Sequence, residues 1–360
     1  MSKQIYSVIT STGSYIPPVV VKNIDFFHNE FYDADGNKFH KDNSEIINKL
    51  QEITTIQERR YVQDSEVTSD IGYYAALQAL EYKQIDKETL DYIIVAHNFG
   101  DVTNEMPYSD LVPTIASRIK AKLGIENPYT VAYDLPFGCP GWLQAVIQSD
   151  YYIKSGDAKK VLVIGAESLS RVSDPHDIDS MIYSDGSGAV ILEGVQSEEP
   201  VGILSHKTRT DTKNYIDLLT MGKSYNPNLP NNRLYLKMKG RKLYEYALTY
   251  VPQLVKDTIE KAGLLMQDIK KVLIHQANGK MDDAILSRLL KLYNIKEIPE
   301  NIMPMTISYL GNNSVATLPI LYDKLFRQEM PEHKINSGDY LAFASVGAGM
   351  NINALLYKVQ

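Results

Sequence analysis

One order of elements occurs twice in this chain, and it restricts the fold more than any single residue does. Glu88-Thr89-Leu90-Asp91-Tyr92-Ile93-Ile94-Val95 resembles Gln267-Asp268-Ile269-Lys270-Lys271-Val272-Leu273-Ile274. Each is preceded by a helical pattern and followed by a polar turn, His97-Asn98 in one copy and His275-Gln276 in the other. Further on, Lys154-Ser155-Gly156-Asp157 leads into one apolar run and Asn336-Ser337-Gly338-Asp339 into another, each Gly reading as the end of a helix. Chance supplies one such match; two in the same order imply a duplicated α/β unit, with halves 1–199 and 200–360. The turn at Cys139 then has its counterpart at Gly311-Asn312-Asn313.

Five runs read as strands covered on both faces, because their apolar residues are continuous rather than alternating. They are Tyr92 to Ala96, Val161 to Ile164, Ala189 to Leu192, Val272 to Ile274 and Tyr340 to Ala344. Helical patterns lie between them at Ile71 to Tyr82, Trp142 to Lys154, Tyr244 to Ala262 and Met281 to Tyr293, which is α/β rhythm. Tyr32 to Asn43 and Tyr225 to Asn232 are polar and turn-rich, and read as surface loops. A chain of 360 residues buries a sizeable core without disulfides or metals. With 37 Lys plus Arg against 44 Asp plus Glu, its net charge of −7 argues against broad nucleic-acid binding. No apolar run approaches the ~18 residues of a membrane span. The start, Met1-Ser2-Lys3-Gln4-Ile5-Tyr6, lacks the apolar stretch of a signal peptide. The expectation is a cytoplasmic enzyme with neither nucleic-acid nor membrane partners. Its single cysteine forms no internal disulfide and merits locating.

That cysteine sits in Leu135-Pro136-Phe137-Gly138-Cys139-Pro140-Gly141-Trp142, ahead of a helix with Trp142, Ala145, Val146, Ser149, Tyr152 and Ile153 on one face. Pro140 suits the first helical position. Cys139 then stands beside free N–H groups and the positive end of the helix dipole. A dipole effect of about 1 kcal/mol raises thiolate at neutral pH from roughly 3% to about 10–20%. That modest gain needs help from a base or hydrogen-bond partner. Position alone leaves two readings, a nucleophile or an inert buried thiol. His275 ends a buried strand, where α/β sheets line ligand crevices, or else hydrogen-bonds in the core. Asn312, before the helical run Val315 to Phe326, reads first as a turn or N-cap asparagine. Gly347-Ala348-Gly349 is either a tight turn or a place where a backbone N–H approaches a ligand. The scattered histidines and lone cysteine give no metal pattern, and no three-glycine dinucleotide fingerprint occurs. Lys237, Lys239, Arg241 and Lys242 read as a solvated basic face, able in this acidic chain to receive an acidic partner.

Taken together, these segments resemble the ketoacyl-acyl-carrier-protein synthase III family of the thiolase superfamily, from Gly13-Ser14-Tyr15-Ile16-Pro17 to the C-terminus. The stretch from Tyr133-Asp134 through Cys139 carries the resemblance, with Val163-Ile164-Gly165-Ala166-Glu167, Asp185-Gly186-Ser187-Gly188-Ala189, His275-Gln276-Ala277-Asn278 and Gly311-Asn312-Asn313-Ser314. It implies a five-layer α/β/α/β/α sandwich, usually a homodimer, with a Cys-His-Asn site. Cys139 would carry an acyl group as a thioester. The backbone N–H groups of Cys139 and Ala348 would hold the oxyanion; removing one such donor typically costs about 10²–10³ in rate. His275 and Asn312 would bind the thioester carbonyl of malonyl-acyl carrier protein while carbon dioxide leaves. Substrates would ride on the phosphopantetheine of acyl carrier protein or coenzyme A, with no further cofactor and no metal. Lys280 and Arg288 match basic positions facing the carrier protein or coenzyme A phosphates.

Departures modify what is implied. The family's reference members stack adenine between a Trp and an Arg; here Ile178 holds the Arg position and no Trp lies near residues 46 to 53. Val112 stands where the family often has a pocket-closing Phe at the dimer interface, implying a roomier acyl pocket. The Tyr32 to Asn43 insertion would lie beside the entrance. Glu167 reads as a structural carboxylate, or as the extra base of relatives that condense and cyclise two ketoacyl chains, a specialised ketosynthase of secondary metabolism. The order Cys139, His275, Asn312 also imitates papain-like cysteine hydrolases, but their cysteine-rich signature near the mature N-terminus is missing. A non-catalytic acyl-binding subunit of this fold would be expected to lack one of the three residues, and all three are present.

Overall fold

The structure, a computed structural model, describes residues 3–230 and 232–360. Its first sheet is built from β1 (Gln4–Tyr15), β4 (Tyr92–Ala96), β5 (Val131–Leu135), β6 (Lys160–Ser168) and β7 (Asp185–Ser197) in the order β1-β7-β6-β4-β5. The second uses β8 (Gly202–Thr210), β11 (Ile269–Ile274), β12 (Tyr340–Gly347) and β13 (Asn351–Lys358) in the order β11-β12-β13-β8. Strand directions repeat as well. The pair β4–β6 is parallel, then β6–β7 and β7–β1 are antiparallel; β11–β12 is parallel, then β12–β13 and β13–β8 are antiparallel. The sheets differ at one edge, where only the first continues, through parallel pairing of β4 with β5. Two short antiparallel pairs complete the strands, β2 (Val19–Lys22) with β3 (Glu58–Tyr61) across the helical segment Asn43–Thr54, and the β9 (Leu219–Gly222)–β10 (Tyr235–Met238) hairpin.

Helices form three further layers. Helices α2 (Thr68–Tyr82) and α3 (Ile115–Lys122) cover the outer face of the first sheet, and α5 (Gly240–Lys261) with α6 (Gly279–Leu292) covers that of the second. Between the sheets lie α4 (Gly141–Ser155) and α8 (Thr317–Phe326). Helix α1 (Asn43–Thr54) and the single turn α7 (Ile307–Leu310) pack at the periphery and against β3 respectively. The result is the five-layer α/β/α/β/α thiolase-like sandwich. The central position of α4 explains a difference from its sequence pattern. Leu143, Ile147 and Asp150 are buried along with the expected stripe, of which only Tyr152 is half-buried, because sheets cover the helix on two sides. Trp142 from α4, Tyr322 from α8 and Phe343 from β12 meet in this central core.

Two sequence expectations are corrected. Gly156 does end α4, in the left-handed region at φ 84°. Gly338 ends no helix; it belongs to a turn in which Asn336 N–H donates to the Asp339 carboxylate at 2.8 Å. The basic cluster is not simply a solvated face. Lys237 is buried between Asp174 (2.5 Å) and Asp177 (3.1 Å), its ammonium 3.3 Å from the Tyr225 ring centre, while Lys239 pairs with Asp217. The two insertions meet each other. Tyr32 N–H donates to His176 O, Tyr225 N–H to the Asp174 carboxylate, and Gly36 lies against Pro227. Of the loop 225–232, Asn231 lies outside the described residues.

Candidate active site

A cavity of about 180 Å³ brings Cys139, His275, Asn312 and Ala348 together. Four different chain segments supply them, and each is held from behind. The Cys139 turn precedes α4, which begins at Gly141, one residue later than expected. Gly138 has φ +67°, and Gly141 N–H closes the turn onto Gly138 O at 2.9 Å. The end of β12 runs against this turn. A Cβ on Gly347 would stand 2.5 Å from Cys139 N, and one on Gly138 would stand 2.8 Å from Ala348 N. Only glycine permits that approach. Neither the Cys139 nor the Ala348 amide donates to a protein acceptor among the described residues, so both are available to an oxyanion.

His275 follows β11, its own N–H tied to Ala344 O at 2.9 Å. Its ring is 2% exposed and its Nδ1 has no protein partner among the described residues. Gln276 next to it accepts from the N–H groups of Thr306 (2.8 Å) and Ile307 (3.0 Å), which ties the histidine turn to the chain entering Asn312. Asn312 N–H donates to Ile182 O (3.0 Å), and Asn312 O accepts from Ser184 N–H (2.8 Å). Its Oδ1 accepts from Ser314 N–H at 2.9 Å; since an N–H must meet an oxygen, the amide NH₂ is left for the cavity side. Ser314 occupies the left-handed region at φ +51°, strain of roughly 1–3 kcal/mol for a residue other than glycine. Its Oγ lies 3.4 Å from Cys139 Sγ.

Burial sets the protonation of the site. The Cys139 thiol is pushed up to about 11 by loss of water, with the nearby Glu167 charge adding to the effect. Loss of water thus opposes the thiolate that the helix position favours. Burial holds His275 down at about 4, so at neutral pH its ring is an uncharged imidazole that can donate or accept. Beyond these groups the cavity is mainly apolar, with Phe99, Leu219, Met221, Leu236, Met238 and Leu243 among its walls and Asn98 and Thr220 as polar exceptions.

The other residues singled out in the sequence lie elsewhere. Val112 is 85% exposed and lines no part of the cavity of this chain. Lys280 is exposed and paired with Glu52 at 3.1 Å; Arg288 donates to Leu248 O at 3.1 Å. Glu167 is fully buried outside the cavity lining, where Asn98 Nδ2 donates to it at 2.5 Å; burial raises its pKa to about 7. Ile178 packs with Phe39 against the cluster of Phe26, Phe31 and Ile47. No residue of 32–43 lines the cavity. Sequence reasoning missed Ser314, although it stands inside the Asn312 motif, and Asn98 and Phe99 beyond β4. It also missed the β9–β10 hairpin, whose four-residue strands carry no periodic signal.

Comparison with known proteins places the chain. Residues 133–212 match the sequence pattern of 3-oxoacyl-[acyl-carrier-protein (ACP)] synthase III, and residues 259–359 match the C-terminal pattern of the same family. A β-ketoacyl-[acyl-carrier-protein] synthase III 1 of Vibrio vulnificus (strain YJ016) is 33% identical over 98% of this chain and 99% of its own length. The chain belongs to the 3-oxoacyl-[acyl-carrier-protein] synthase III family. Among solved structures, the family enzyme from Thermus thermophilus superimposes with a TM-score of 0.80 at 29% identity, over 98% of this chain and 99% of its own. The enzyme from Aquifex aeolicus VF5 gives 0.79 at 28%, with the same coverage. Like its family, this chain is a condensing enzyme of the acyltransferase type.

Proposed function

We propose that Cys139 accepts an acyl group from a thioester donor and that His275 and Asn312 then direct decarboxylative condensation with malonyl-acyl carrier protein. The observation that carries this reading is the single cavity joining the sulfur, the two free amides, an uncharged imidazole and a carboxamide to apolar walls. Sulfur attacks the donor carbonyl as it gives up its proton, and the developing oxyanion takes the N–H groups of Cys139 and Ala348; collapse of that oxyanion breaks the donor thioester bond, and the donor thiol leaves with a proton in place of the one lost from Cys139. The acyl chain lies along Leu219, Met221, Leu236 and Met238. The malonyl thioester carbonyl then accepts from His275 and the Asn312 NH₂. Negative charge moves onto that oxygen as carbon dioxide leaves, and the resulting carbanion attacks the acyl-cysteine, releasing the sulfur. Positioned donors suffice for this charge.

Lys280 and Arg288 are the proposed contacts for carrier-protein or coenzyme A phosphates, with Lys280 exchanging its Glu52 partner for the ligand. The chain works as a homodimer of two-part subunits, residues 1–199 and 200–360. The open edge of β5, with Val131 47% exposed and Tyr129 just before it 85% exposed, fits pairing with a second copy. The proposed setting is the cytoplasm. Among the described residues no helix is long and apolar enough to cross a membrane. The test is intact-protein mass spectrometry with acyl-coenzyme A and acyl-carrier-protein donors, followed by malonyl-acyl carrier protein. Acylation at Cys139 and then a chain-extended product are expected. An unmodified cysteine overturns the reading, and so does an acyl-enzyme that only hydrolyses.

A further inference from the structure

Behind the Asn312 turn lies a buried charge that the chemistry above does not use. Arg59, in β3, is completely buried. Its Nε and Nη2 donate to Met181 O at 3.1 and 2.6 Å, Nη1 donates to Val21 O at 3.1 Å, and Nη2 also donates to Asn23 Oδ1 at 2.6 Å. The guanidinium carbon stands 5.0 Å from the Phe26 ring centre. Among the described residues no carboxylate pairs with it. A buried cation that holds only neutral oxygens is costly to keep, which calls for a function in what it holds.

What it holds is the support of Asn312. Met181 begins a four-residue segment, and Asn312 hangs from the next three residues. Its N–H goes to Ile182 O, its carbonyl takes Ser184 N–H, and Tyr183 pairs with it as a parallel bridge. Ser184 closes the segment back onto β3, its Oγ accepting from Arg60 N–H at 2.9 Å and donating to Arg60 O at 3.0 Å. The packing is direct as well, since a Cβ on Gly311 would stand 3.0 Å from the Cβ atoms of Arg59 and Ser184. The backbone turn of Cys139 is fixed separately, by α4 and the end of β12; only its sulfur touches this part of the site, through Ser314 Oγ at 3.4 Å.

We propose that Arg59 is a positioning residue for the Asn312 carboxamide, acting by pinning residues 181–184 to β3. The inference rests on the role given to Asn312 above. It predicts an asymmetry between half-reactions: Arg59 matters to the malonyl-dependent step that Asn312 serves and not to acylation of Cys139. Lysine in its place is a point charge with a different fork and cannot reach all three acceptors.

The experiment compares Arg59→Lys, Ser184→Ala and Asn312→Ala with the unaltered enzyme. Cys139 acylation is followed by intact mass, malonyl-dependent turnover is split into kcat and KM, and thermal unfolding is recorded. For Arg59→Lys the expected result is acylation within about 2-fold and a malonyl-dependent kcat down by about 10-fold or more, in line with the cost of a sub-ångström to ångström misplacement. Ser184→Ala, which disturbs the same support without touching a buried charge, gives a smaller loss in the same step. It carries the test should Arg59→Lys not fold. Equal losses in both half-reactions overturn the proposal, because they mark a merely structural role. Malonyl turnover within 2-fold of the unaltered enzyme in a folded Arg59→Lys, when Asn312→Ala has lost it, overturns it also. Full malonyl turnover in Asn312→Ala removes the assigned role of Asn312, and this inference with it.

Discussion

His97 and His275 occupy the same place in the two halves, one residue past β4 and one past β11, and both are buried, at 1% and 2% exposure. Their rings meet different fates. His97 Nδ1 accepts from Gly100 N–H at 3.1 Å, which places the proton on Nε2, and that atom lies 2.9 Å from the Asp134 carboxylate, a charge contact whose angle misses hydrogen-bond geometry. His275 Nδ1 has no hydrogen-bond partner among the described residues, and no carboxylate stands beside it. The cause is the edge at which the sheets differ. Asp134 comes from β5, the fifth strand of the first sheet, whereas the second sheet stops at β11 and offers His275 no such neighbour. In a duplicated fold the position supplies a histidine at the carboxyl end of a strand. The neighbouring strand decides whether that histidine is consumed by the structure or left for a ligand.

Replacing each histidine tests this contrast. The largest effect belongs to His275→Ala. Malonyl-dependent condensation falls by about 10²–10³ through loss of one positioned donor, and acylation of Cys139 falls far less. A single-turnover assay that finds the two steps equally impaired breaks the contrast. His97→Ala gives the opposite pattern: stability drops by about 1–3 kcal/mol as Asp134 and Gly100 N–H lose their partner. Condensation measured on the folded fraction stays within a few-fold. Denaturant midpoints and turnover on the same preparation check this, and a condensation loss as large as that of His275→Ala would count against it.

The smallest effect is a pH dependence. The folded pKa of His275, about 4, lies below its ordinary value, so between about pH 6.5 and 4 the unfolded chain binds the extra proton. The ring's contribution is therefore present above pH 6.5 and is lost as pH falls toward 4. From pH 6.5 to 5.5 the unaltered protein loses about 1 kcal/mol through this ring. His275→Asn abolishes that part of the slope, while groups common to both proteins cancel in the difference. Parallel urea curves at the two pH values measure it, and identical slopes for the two proteins would show a ring that ionises normally.

Much of the fold and the core of the site were legible in the chain. The strands around Ile93, Val163, Val190, Leu273 and Phe343, and the helices beginning near Ile71 and Trp142, follow from short-range apolar periodicity and turn residues. The turns that present Cys139, His275 and Asn312 are equally local: a glycine with positive φ, a strand end, a helix start. What the sequence determined is this order of elements, occurring twice, with those three residues at the turns. Only the tertiary structure decided their chemical state and surroundings. Cys139 reads as thiolate-prone from its helix and becomes a thiol of raised pKa because sheets and helices strip its water. Lys237 reads as solvent-facing and is buried against Asp174, 63 residues earlier in the chain. Met221 and Leu236 become cavity walls only because their hairpin folds over the site. Periodicity and turn chemistry act between near neighbours and are written locally. Burial, dielectric and charge pairing depend on which distant segments meet, and no local stretch of the chain records that.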